Sequence, residues 1–370
     1  MDRRQFVTYG FAGLGAAFCP PLMFNAGGHT GDKNSFSCEA MFYDIQPNGY
    51  ACGLCPNKCI VTQTRPGNCR TRYIKNEKLV CIAYGNPYYV NNQVPEQLPL
   101  FHFRPGEKTL LIGTAGCNLG CLYCNVSEIS QASPADLYHH TLFPSEVIET
   151  CVKEGIRNIA YGYTEPVVFF EYMLETAKLA RAKGISNIFC SNGHINEKPL
   201  RLLGSYLDAA IIDVKAFNEA TYLKLTGGSV IPPLNTVKIL HEMKVWLEVS
   251  HLLVPDWTDH SDLMGKMFAW MKENGMENVP FHIDRFEPHY MMKDLKPTPE
   301  ESLTRARKLA MDKGLRYVYL NLPDRQESMT TWCPHCGKPI LERNLHGPVR
   351  SGIKNGCCAS CGEKIPGIWI

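Results

Sequence analysis

The chain has 370 residues, of which 45% are hydrophobic and 20% are charged, and its formal net charge is +2. This composition excludes a disordered or fibrous protein and suits one large domain with smaller attachments. No run of like charge indicates a nucleic-acid partner, and no segment is long and apolar enough to span a membrane. Most of the 17 cysteines fall in groups with gaps of two or three residues, which favours metal sites over a disulfide framework.

Residues 1–35 are interpreted as a leader followed by a linker. Arg3 and Arg4 precede Phe6 and a weakly hydrophobic run that ends near Phe18, and this pattern resembles a twin-arginine export signal. Export to the periplasm is therefore one expectation, and a cytoplasmic protein with a disordered N-terminus is the alternative. Residues 20–35 are rich in glycine, proline and asparagine, which predicts the linker.

Residues 36–107 are predicted to form a cysteine-rich metal-binding module. Four thiols at the spacing C-x2-C-x3-C-x9-C can close a tetrahedral zinc site or hold a second iron–sulfur cluster. Turn residues at Pro56 and Gly67 help to bring these thiols together. Two disulfides are the competing interpretation if the chain is exported. The four cysteines are Cys52, Cys55, Cys59 and Cys69.

The stretch at residues 113–125 is the feature around which the rest of the chain is organised. Its cysteines, Cys117, Cys121 and Cys124, have the spacing C-x3-C-x2-C, and Tyr123 directly precedes the last of them. A four-iron cluster is closed by four thiolates, so three thiolates leave one iron for a group that is not protein. A zinc knuckle is less consistent with this loop, because knuckles use C-x2-C pairs and four ligands.

Residues 108–325 alternate between strand-like apolar runs and segments with helical periodicity. Repeated strand–helix units predict an α/β fold with a parallel sheet and right-handed crossovers. In barrel-like sheets of this kind the reactive groups lie at the carboxyl ends of the strands, and the three-cysteine loop follows the first predicted strand. A helix at 299–313 and a strand at 316–320 complete this domain. The six principal strands are predicted at 109–113, 158–163, 185–191, 209–214, 246–254 and 280–286.

Polar residues at the strand ends are candidates for binding a ligand at the open iron. A ligand that chelates iron through an amino and a carboxyl group needs a carboxylate near its ammonium and a cation near its carboxylate. Glu165 and Lys215 could supply those charges. Each strand-end residue could instead be solvated or salt-bridged. Ribose hydroxyls could bind to Ser191, Asn192 and Asp213. The remaining candidates on these strands are Ser250, His282 and Arg285.

Residues 326–370 contain two C-x2-C-G pairs separated by about twenty residues, which is the pattern of a zinc ribbon. Each pair ends in the glycine that a metal knuckle needs. A hairpin unit of this size cannot bury enough core alone, so we expect a structural metal to stabilise it, with zinc as the first expectation and a second iron–sulfur cluster as the alternative. The predicted ligands are Cys333, Cys336, Cys358 and Cys361.

The three-cysteine loop, with an aromatic residue before its last cysteine, resembles the cluster loop of the radical S-adenosylmethionine (SAM) superfamily. Residues 162–166 stand where that superfamily has its Gly-Gly-Glu motif. Further blocks resemble the radical enzyme of the AmmeMemoRadiSam group, which is related to pyruvate formate-lyase activating enzymes. The resemblance covers roughly residues 50–370. These blocks lie at residues 52–59, 101–106, 212–215, 281–286 and 365–369.

The resemblance implies a partial (β/α)6 radical SAM barrel with a 4Fe–4S cluster on the three loop cysteines and SAM on the open iron. It also implies that one electron from a low-potential donor cleaves SAM to methionine and a 5′-deoxyadenosyl radical, which abstracts hydrogen from a substrate that can be a protein. An iron–sulfur electron-transfer protein without SAM cleavage is the alternative from another class, and a metal-stapled interaction module is a third interpretation.

The resemblance assigns roles to a few residues of this chain. Glu165 is expected to face the ammonium of SAM, and Asp213 and Lys215 match the cofactor-facing strand end of the family. Tyr163 and Thr164 stand where the superfamily has two glycines, which makes the backbone geometry before Glu165 an open question. The electron-transfer alternative does not need Glu165 or Lys215 for a ligand, and the interaction-module alternative predicts no open iron at Cys117, Cys121 and Cys124.

Overall fold

The computed structural model describes residues 36–322 and 325–369. The predicted leader at residues 1–35 lies outside the described residues, so the expectation of export stays a prediction. Within the two described ranges, no helix has the length and apolar character needed to cross a membrane.

The first part of the described chain forms two small antiparallel sheets. Their strands are β1 (Cys38–Glu39), β2 (Tyr43–Gln46), β3 (Gly49–Cys52), β4 (Ile60–Val61), β5 (Arg72–Lys75) and β6 (Lys78–Cys81). One sheet has the order β1-β6-β5 and the other has the order β2-β3-β4. Cys52, Leu54 and Leu79 of this part are buried in the main hydrophobic core, so the small sheets pack directly on the larger fold.

The main sheet has eight strands, of which the last seven are parallel. They are β7 (Tyr89–Gln93), β8 (Thr109–Gly113), β9 (Asn158–Tyr161), β10 (Ser186–Ser191), β11 (Ala209–Asp213), β12 (Trp246–Leu253), β13 (Phe281–Arg285) and β14 (Val318–Leu320). Their order in space follows their order in the chain, and β7 runs antiparallel to β8. The predicted α/β class is confirmed, whereas the edge strand β7 was not predicted from the sequence.

Helices cover the outer face of this sheet, and the strands are correspondingly apolar. All residues of β8 and β9 are buried, as expected for parallel strands that are covered on both faces. The helices are α1 (Ser127–Ser130), α2 (Pro144–Glu154), α3 (Phe170–Ala182), α4 (Glu197–Gly204), α5 (Glu219–Thr226), α6 (Ile231–Glu242), α7 (Ser261–Glu273) and α8 (Glu300–Asp312).

Helix α2 shows how local sequence signals fix these elements. Pro144 occupies its first turn, where no intrahelical N–H is required. The Glu146 carboxylate accepts a hydrogen bond from the amide of Phe143 at 2.7 Å, which satisfies one of the free amides at the helix start. Gly155 ends the helix in a left-handed conformation with φ of 66°.

The amino-terminal end of the barrel is filled by residues 98–103, which we call the plug. Leu98, Leu100 and Phe103 of the plug pack against Leu111 and Ile188 inside the barrel. Glu248 fixes the plug, because its carboxylate accepts hydrogen bonds from the amides of Phe101 and His102 at 2.9 and 2.7 Å. This leaves the carboxyl end of the strands for the site.

The last part of the chain packs against the plugged end. It contains α9 (Gln326–Met329), β15 (Thr331–Trp332), β16 (Pro339–Asn344), β17 (Gly347–Ser351), β18 (Ile353–Lys354) and β19 (Cys357–Cys358). Arg343 is completely buried there and donates a hydrogen bond to the carbonyl oxygen of Phe101 at 3.1 Å. Cys333 and Cys358 pack with Phe101 and Tyr319 in one apolar cluster, so this part is attached to the barrel through the plug.

Candidate active site

The three-cysteine loop follows β8 and lies at the carboxyl edge of the sheet. Gly116 has φ of 100°, and a Cβ at this position would lie 2.5 Å from the carbonyl oxygen of Cys69, so only glycine fits. The amides of Gly120 and Leu122 donate hydrogen bonds to the carbonyl oxygens of Thr226 and Leu225 at 2.8 and 2.9 Å. The loop is therefore held between the N-terminal cysteine module and the end of α5.

Two of the sulfur atoms of this loop have polar neighbours in the protein. The amide of Leu119 lies 3.4 Å from Sγ of Cys117, and the hydroxyl of Ser130 lies 3.3 Å from Sγ of Cys124. Burial raises the pKa of the Cys121 thiol to about 12, so this thiol needs a nearby positive charge, such as iron, to ionise. Three thiols in one loop, two of them with polar neighbours, fit an iron–sulfur cluster with one open iron.

Glu165 lies beside the cysteine loop and is only 3% exposed. Its carboxylate accepts hydrogen bonds from the Ser191 hydroxyl at 2.7 Å, the Asn192 amide at 2.9 Å and the Val167 amide at 3.0 Å. Burial raises the pKa of Glu165 to about 7, although these three donors oppose the shift. Ser191 and Asn192, predicted as ribose-binding residues, are thus brought to the site and hold this carboxylate.

The turn before Glu165 keeps a backbone shape that glycine normally supplies. Tyr163 stands where the superfamily motif has its first glycine, and it adopts a left-handed conformation with φ of 68°. Its ring stacks on Tyr89 with centroids 3.9 Å apart, which anchors the turn against the edge strand β7. The hydroxyl of Thr164 donates to the carbonyl oxygen of Thr114, directly before the cysteine loop. The substitution of the two glycines therefore leaves Glu165 in the site.

Asn192 also connects this turn to the cysteine loop. Its side-chain amide donates to Oδ1 of Asn118 at 2.9 Å and lies 3.9 Å from Sγ of Cys117. Asn118 in turn donates to the carbonyl oxygen of His194 at 2.7 Å. Asn118 was missed in the sequence, although its position next to Cys117 was a signal that could have identified it.

Several buried polar atoms near the loop have no hydrogen-bond partner among the described residues. They are Oη of Tyr123, Oη of Tyr222 and Oδ1 of Asp213. Lys215 pairs with the other oxygen of Asp213, and its ammonium lies 5.8 Å from the centre of the Tyr123 ring. Buried polar groups without partners cost free energy, so this arrangement is suited to a polar ligand that completes them.

Asp284 is a further carboxylate that was not predicted, and it is partly buried. Its Oδ1 has no partner within the part of the chain that the structure describes. Burial raises the pKa of Asp284 to about 6, and the nearby negative charge of Asp213 adds to this shift. Asp284 lies two residues after His282 on β13, so period-two alternation along this strand could have identified it.

The structure also shows where three other predicted residues lie relative to the cysteine loop. Ser250 is buried on β12 in register with Asp213 on β11, so it lies inside the barrel. His282 is 2% exposed, and its Nε2 lies 2.7 Å from the carboxylate of Glu248, which fixes the plug. Arg285 is exposed and pairs with Glu287 at 3.2 Å. The structure therefore does not bring the side chains of His282 and Arg285 to the cysteine loop.

The two accessory cysteine sets differ in spacing. Cys333 and Cys361 have sulfur atoms 3.6 Å apart, and those of Cys336 and Cys358 are 3.8 Å apart. Across the described ranges, these four form the one set of three or more metal-ligating side chains whose ligand atoms all lie within 4.8 Å of one another. This C-terminal set could hold one metal ion. The N-terminal set, Cys52, Cys55, Cys59 and Cys69, lines a separate cavity.

The α/β barrel and the three thiols at the carboxyl edge of its first parallel strand define an iron–sulfur protein of the barrel type. A sequence model described as the radical SAM superfamily matches residues 111–268. An uncharacterised protein of Methanocaldococcus jannaschii is 34% identical over 330 residues, which cover 88% of this chain and 98% of that protein. The chain belongs to the radical SAM superfamily, as its sequence motifs predicted.

More distant relatives have named activities. The pyruvate formate-lyase-activating enzyme of Staphylococcus epidermidis is 24% identical over 241 residues, which cover 59% of this chain and 90% of that enzyme. Among solved structures, SuiB of Streptococcus suis bound to precursor peptide SuiA is 11% identical with a TM-score of 0.45, covering 62% of this chain and 51% of that chain. The predicted relation to pyruvate formate-lyase activating enzymes is confirmed by the first of these similarities.

Proposed function

We propose that this enzyme cleaves SAM reductively to methionine and a 5′-deoxyadenosyl radical, which then abstracts a hydrogen atom from a substrate. The observation that carries the proposal is the position of a buried carboxylate, Glu165, beside the three loop thiols. Three thiolates would leave one iron of a 4Fe–4S cluster open. When bound, the cluster supplies the single electron that the cleavage consumes. The protein then has to hold SAM, orient it and exclude water.

Binding and orientation fall to the residues at the carboxyl edge. Cys117, Cys121 and Cys124 would hold three irons. Glu165 would accept a hydrogen bond from the amino group of SAM, because its carboxylate is already fixed in place by Ser191 and by two backbone amides.

The unpartnered polar atoms would bind the rest of the ligand. The hydroxyls of Tyr123 and Tyr222 and one oxygen of Asp213 are suited to the polar groups of a nucleoside. Lys215 would share its charge between Asp213 and the carboxylate of SAM. Water is excluded from the opposite end, because the plug fills it with apolar side chains.

A protein is the substrate class that we infer. The named relatives with which this chain shares its barrel are activating enzymes of pyruvate formate-lyase, so their target is itself an enzyme. A low-potential one-electron donor is the second partner that the reaction requires. The electron-transfer alternative would give Glu165 and the unpartnered hydroxyls no ligand to bind.

The test is an assay for 5′-deoxyadenosine. We expect the anaerobically reconstituted, dithionite-reduced wild type to produce 5′-deoxyadenosine and methionine from SAM, and Cys121→Ala to reduce the rate by about 10³-fold or more. Cys151→Ala is the matched control, because Cys151 is a core thiol on α2, and it should retain the activity. An intact cluster in the wild type without any 5′-deoxyadenosine would overturn the proposal.

A further inference from the structure

We propose that Cys52, Cys55, Cys59 and Cys69 hold a second iron–sulfur cluster instead of a zinc ion, and that electrons enter the catalytic site through it. The identity of this metal group is independent of the reaction, whereas its role in electron entry rests on the function proposed above. Sulfur spacing, a buried arginine with two unpartnered nitrogens, and contact with the catalytic loop support this proposal.

Sulfur spacing separates the two accessory sets. With a Zn–S distance of about 2.3 Å, the sulfurs of a tetrahedral zinc site lie about 3.8 Å apart. The C-terminal set has this spacing, with sulfur pairs at 3.6 and 3.8 Å. No three ligand atoms of the N-terminal set, all of whose cysteines are described, lie within 4.8 Å of one another, and the same holds for the catalytic set. The N-terminal set therefore resembles the cluster-binding set, in which each thiolate binds a different iron.

The cavity between these four thiols contains a buried cation with unused donors. Arg72 lines the cavity and is 1% exposed. One of its terminal nitrogens binds Glu171 at 2.8 Å, but Nε and Nη2 have no hydrogen-bond partner among the residues described. Buried N–H groups without partners are costly, and the sulfur atoms of an anionic cluster would accept them. Arg72 therefore indicates an anionic ligand set in this cavity.

The chain around the thiols is already shaped for ligation. Lys58 and Arg70, each next to a cysteine of the set, have left-handed conformations with φ of 45° and 66°. Such conformations are uncommon outside glycine, so these tight turns carry a cost that ligation would offset. The amide of Asn68 donates to Sγ of Cys59 over 3.4 Å. Hydrogen bonds of this kind stabilise thiolates that bind metal.

The N-terminal set lies directly against the catalytic loop. The carbonyl oxygen of Cys69 is packed on Gly116, the residue before Cys117, so closely that no Cβ fits between them. The side chain of Asn57 donates to the carbonyl oxygen of Asn118 at 2.6 Å, and Asn118 lines the same cavity. Two backbone segments that each carry a ligating cysteine are thus in van der Waals contact.

This contact gives the second cluster a function. One electron from a low-potential carrier, such as a reduced flavodoxin, would reduce the N-terminal cluster, and the same electron would then pass to the cluster on Cys117, Cys121 and Cys124. The N-terminal cluster returns to its original oxidation state, the carrier is oxidised by one electron, and no bond or proton changes at the N-terminal site.

Metal content tests the identity of the site without any need for catalysis. Wild-type protein prepared anaerobically should contain about eight irons, eight sulfides and one zinc per chain. The triple variant Cys117→Ala, Cys121→Ala and Cys124→Ala should retain about four irons and show the electron paramagnetic resonance signal of a reduced cluster after dithionite treatment. About four irons and two zincs in the wild type, or zinc without iron in the triple variant, would overturn the proposal. Because the wild type alone decides the count, the folding of the variant does not limit the test.

Reduction kinetics test whether electrons enter through the N-terminal cluster. In Cys52→Ala/Cys55→Ala loaded with the catalytic cluster, reduced flavodoxin should produce the signal of that cluster at least about tenfold more slowly than in wild type. The thermal midpoint of the variant and the binding of SAM to it serve as controls for folding. Equal reduction rates would overturn the role in electron entry. If the wild type contained eight irons but formed no 5′-deoxyadenosine, the proposed reaction would be contradicted and the metal assignment would still stand.

Discussion

Both ends of the barrel contain buried polar groups, but the ends differ in how these groups are partnered by hydrogen bonds. At the plugged end, Glu248 accepts hydrogen bonds from Phe101, His102 and Trp246 and pairs with His282. At the open end, Tyr123, Tyr222, Asp213 and Asp284 each have a polar atom without a partner in the described chain. Partnered groups stabilise the fold. Unpartnered atoms also occur at the plugged end, on Tyr317 and Arg343, but those at the open end lie near the loop cysteines, where they are suited to a ligand that is not part of the chain.

At the plugged end, His102 is also held in place by contacts within the protein. Burial lowers the pKa of His102 to about 4, so this imidazole is neutral at physiological pH. Its two nitrogens lie 2.7 Å from the carbonyl oxygen of Pro366 and 2.6 Å from the hydroxyl of Tyr319. These contacts connect the C-terminal segment to the barrel, so we assign this end a structural role.

The largest expected effect follows from removing the carboxylate at the plugged end. Glu248→Ala leaves two buried amides and His282 without their acceptor, and we expect a loss of about 3–5 kcal/mol in the free energy of unfolding. The affinity of the folded fraction for SAM should not change. Urea denaturation and SAM titration at low temperature measure both quantities.

Glu287→Ala is the matched control, because this exposed residue pairs only at the surface with Arg285. It should change stability by less than about 0.5 kcal/mol. If Glu248→Ala weakened SAM binding tenfold in folded protein, the separation of the two ends would fail.

The next effect concerns Glu165 and the dependence of SAM binding on pH. Glu165→Gln removes the charged acceptor that faces the amino group of SAM, so affinity should fall about 10- to 100-fold at pH 8. In the wild type the pKa of Glu165 is raised by burial to about 7. The carboxyl is therefore increasingly neutral below pH 7, and the affinity of the wild type should fall as the pH is lowered from 8 to 6.

Glu165→Gln should bind SAM with a weaker pH dependence, since its amide does not titrate, although Asp284, whose pKa burial raises to about 6, still does. Glu175→Gln, an exposed substitution on α3, serves as a control and should follow the wild-type curve. Parallel pH curves for Glu165→Gln and wild type would show that Glu165 does not bind the amino group of SAM.

The smallest effect separates two buried hydroxyls. Tyr123 at the open end and Tyr317 at the plugged end both have a hydroxyl without a partner among the described residues. Tyr123→Phe should weaken SAM binding about three- to tenfold, because a ligand hydrogen bond is lost. Tyr317→Phe should leave SAM binding unchanged. Calorimetric titration measures the SAM affinity of both variants. Equal affinities would show that the Tyr123 hydroxyl does not bind SAM.

The sequence was most informative where the chemistry lies in one continuous segment. The spacing of Cys117, Cys121 and Cys124 identified the superfamily, and Glu165 was found from its place in a short turn. The long apolar parallel strands were also predictable, because burial on both faces makes them continuous hydrophobic runs. The antiparallel strand β7 was missed, since its polar residues lack that signal.

Residues that depend on the position along a strand were harder to assign. His282 and Asp284 lie two residues apart on β13, yet the side chain of the first contacts the plugged end and the second lies near Asp213 and Lys215. A sequence pattern gives the face of a strand but not the tilt of the strands, which decides the end of the barrel that each side chain reaches. The contact between Cys69 and Gly116 also depends on tertiary packing that no local pattern encodes.

The central claim is that SAM binds at the open end through its amino and carboxyl groups on the iron that the three loop cysteines leave free. Electron–nuclear double resonance on the reduced protein with SAM carrying ¹⁵N in its amino group tests this claim directly. We predict a ¹⁵N coupling to the cluster that is retained in Tyr317→Phe and absent in Cys121→Ala. A cluster-loaded wild type that binds SAM without any such coupling would contradict the account.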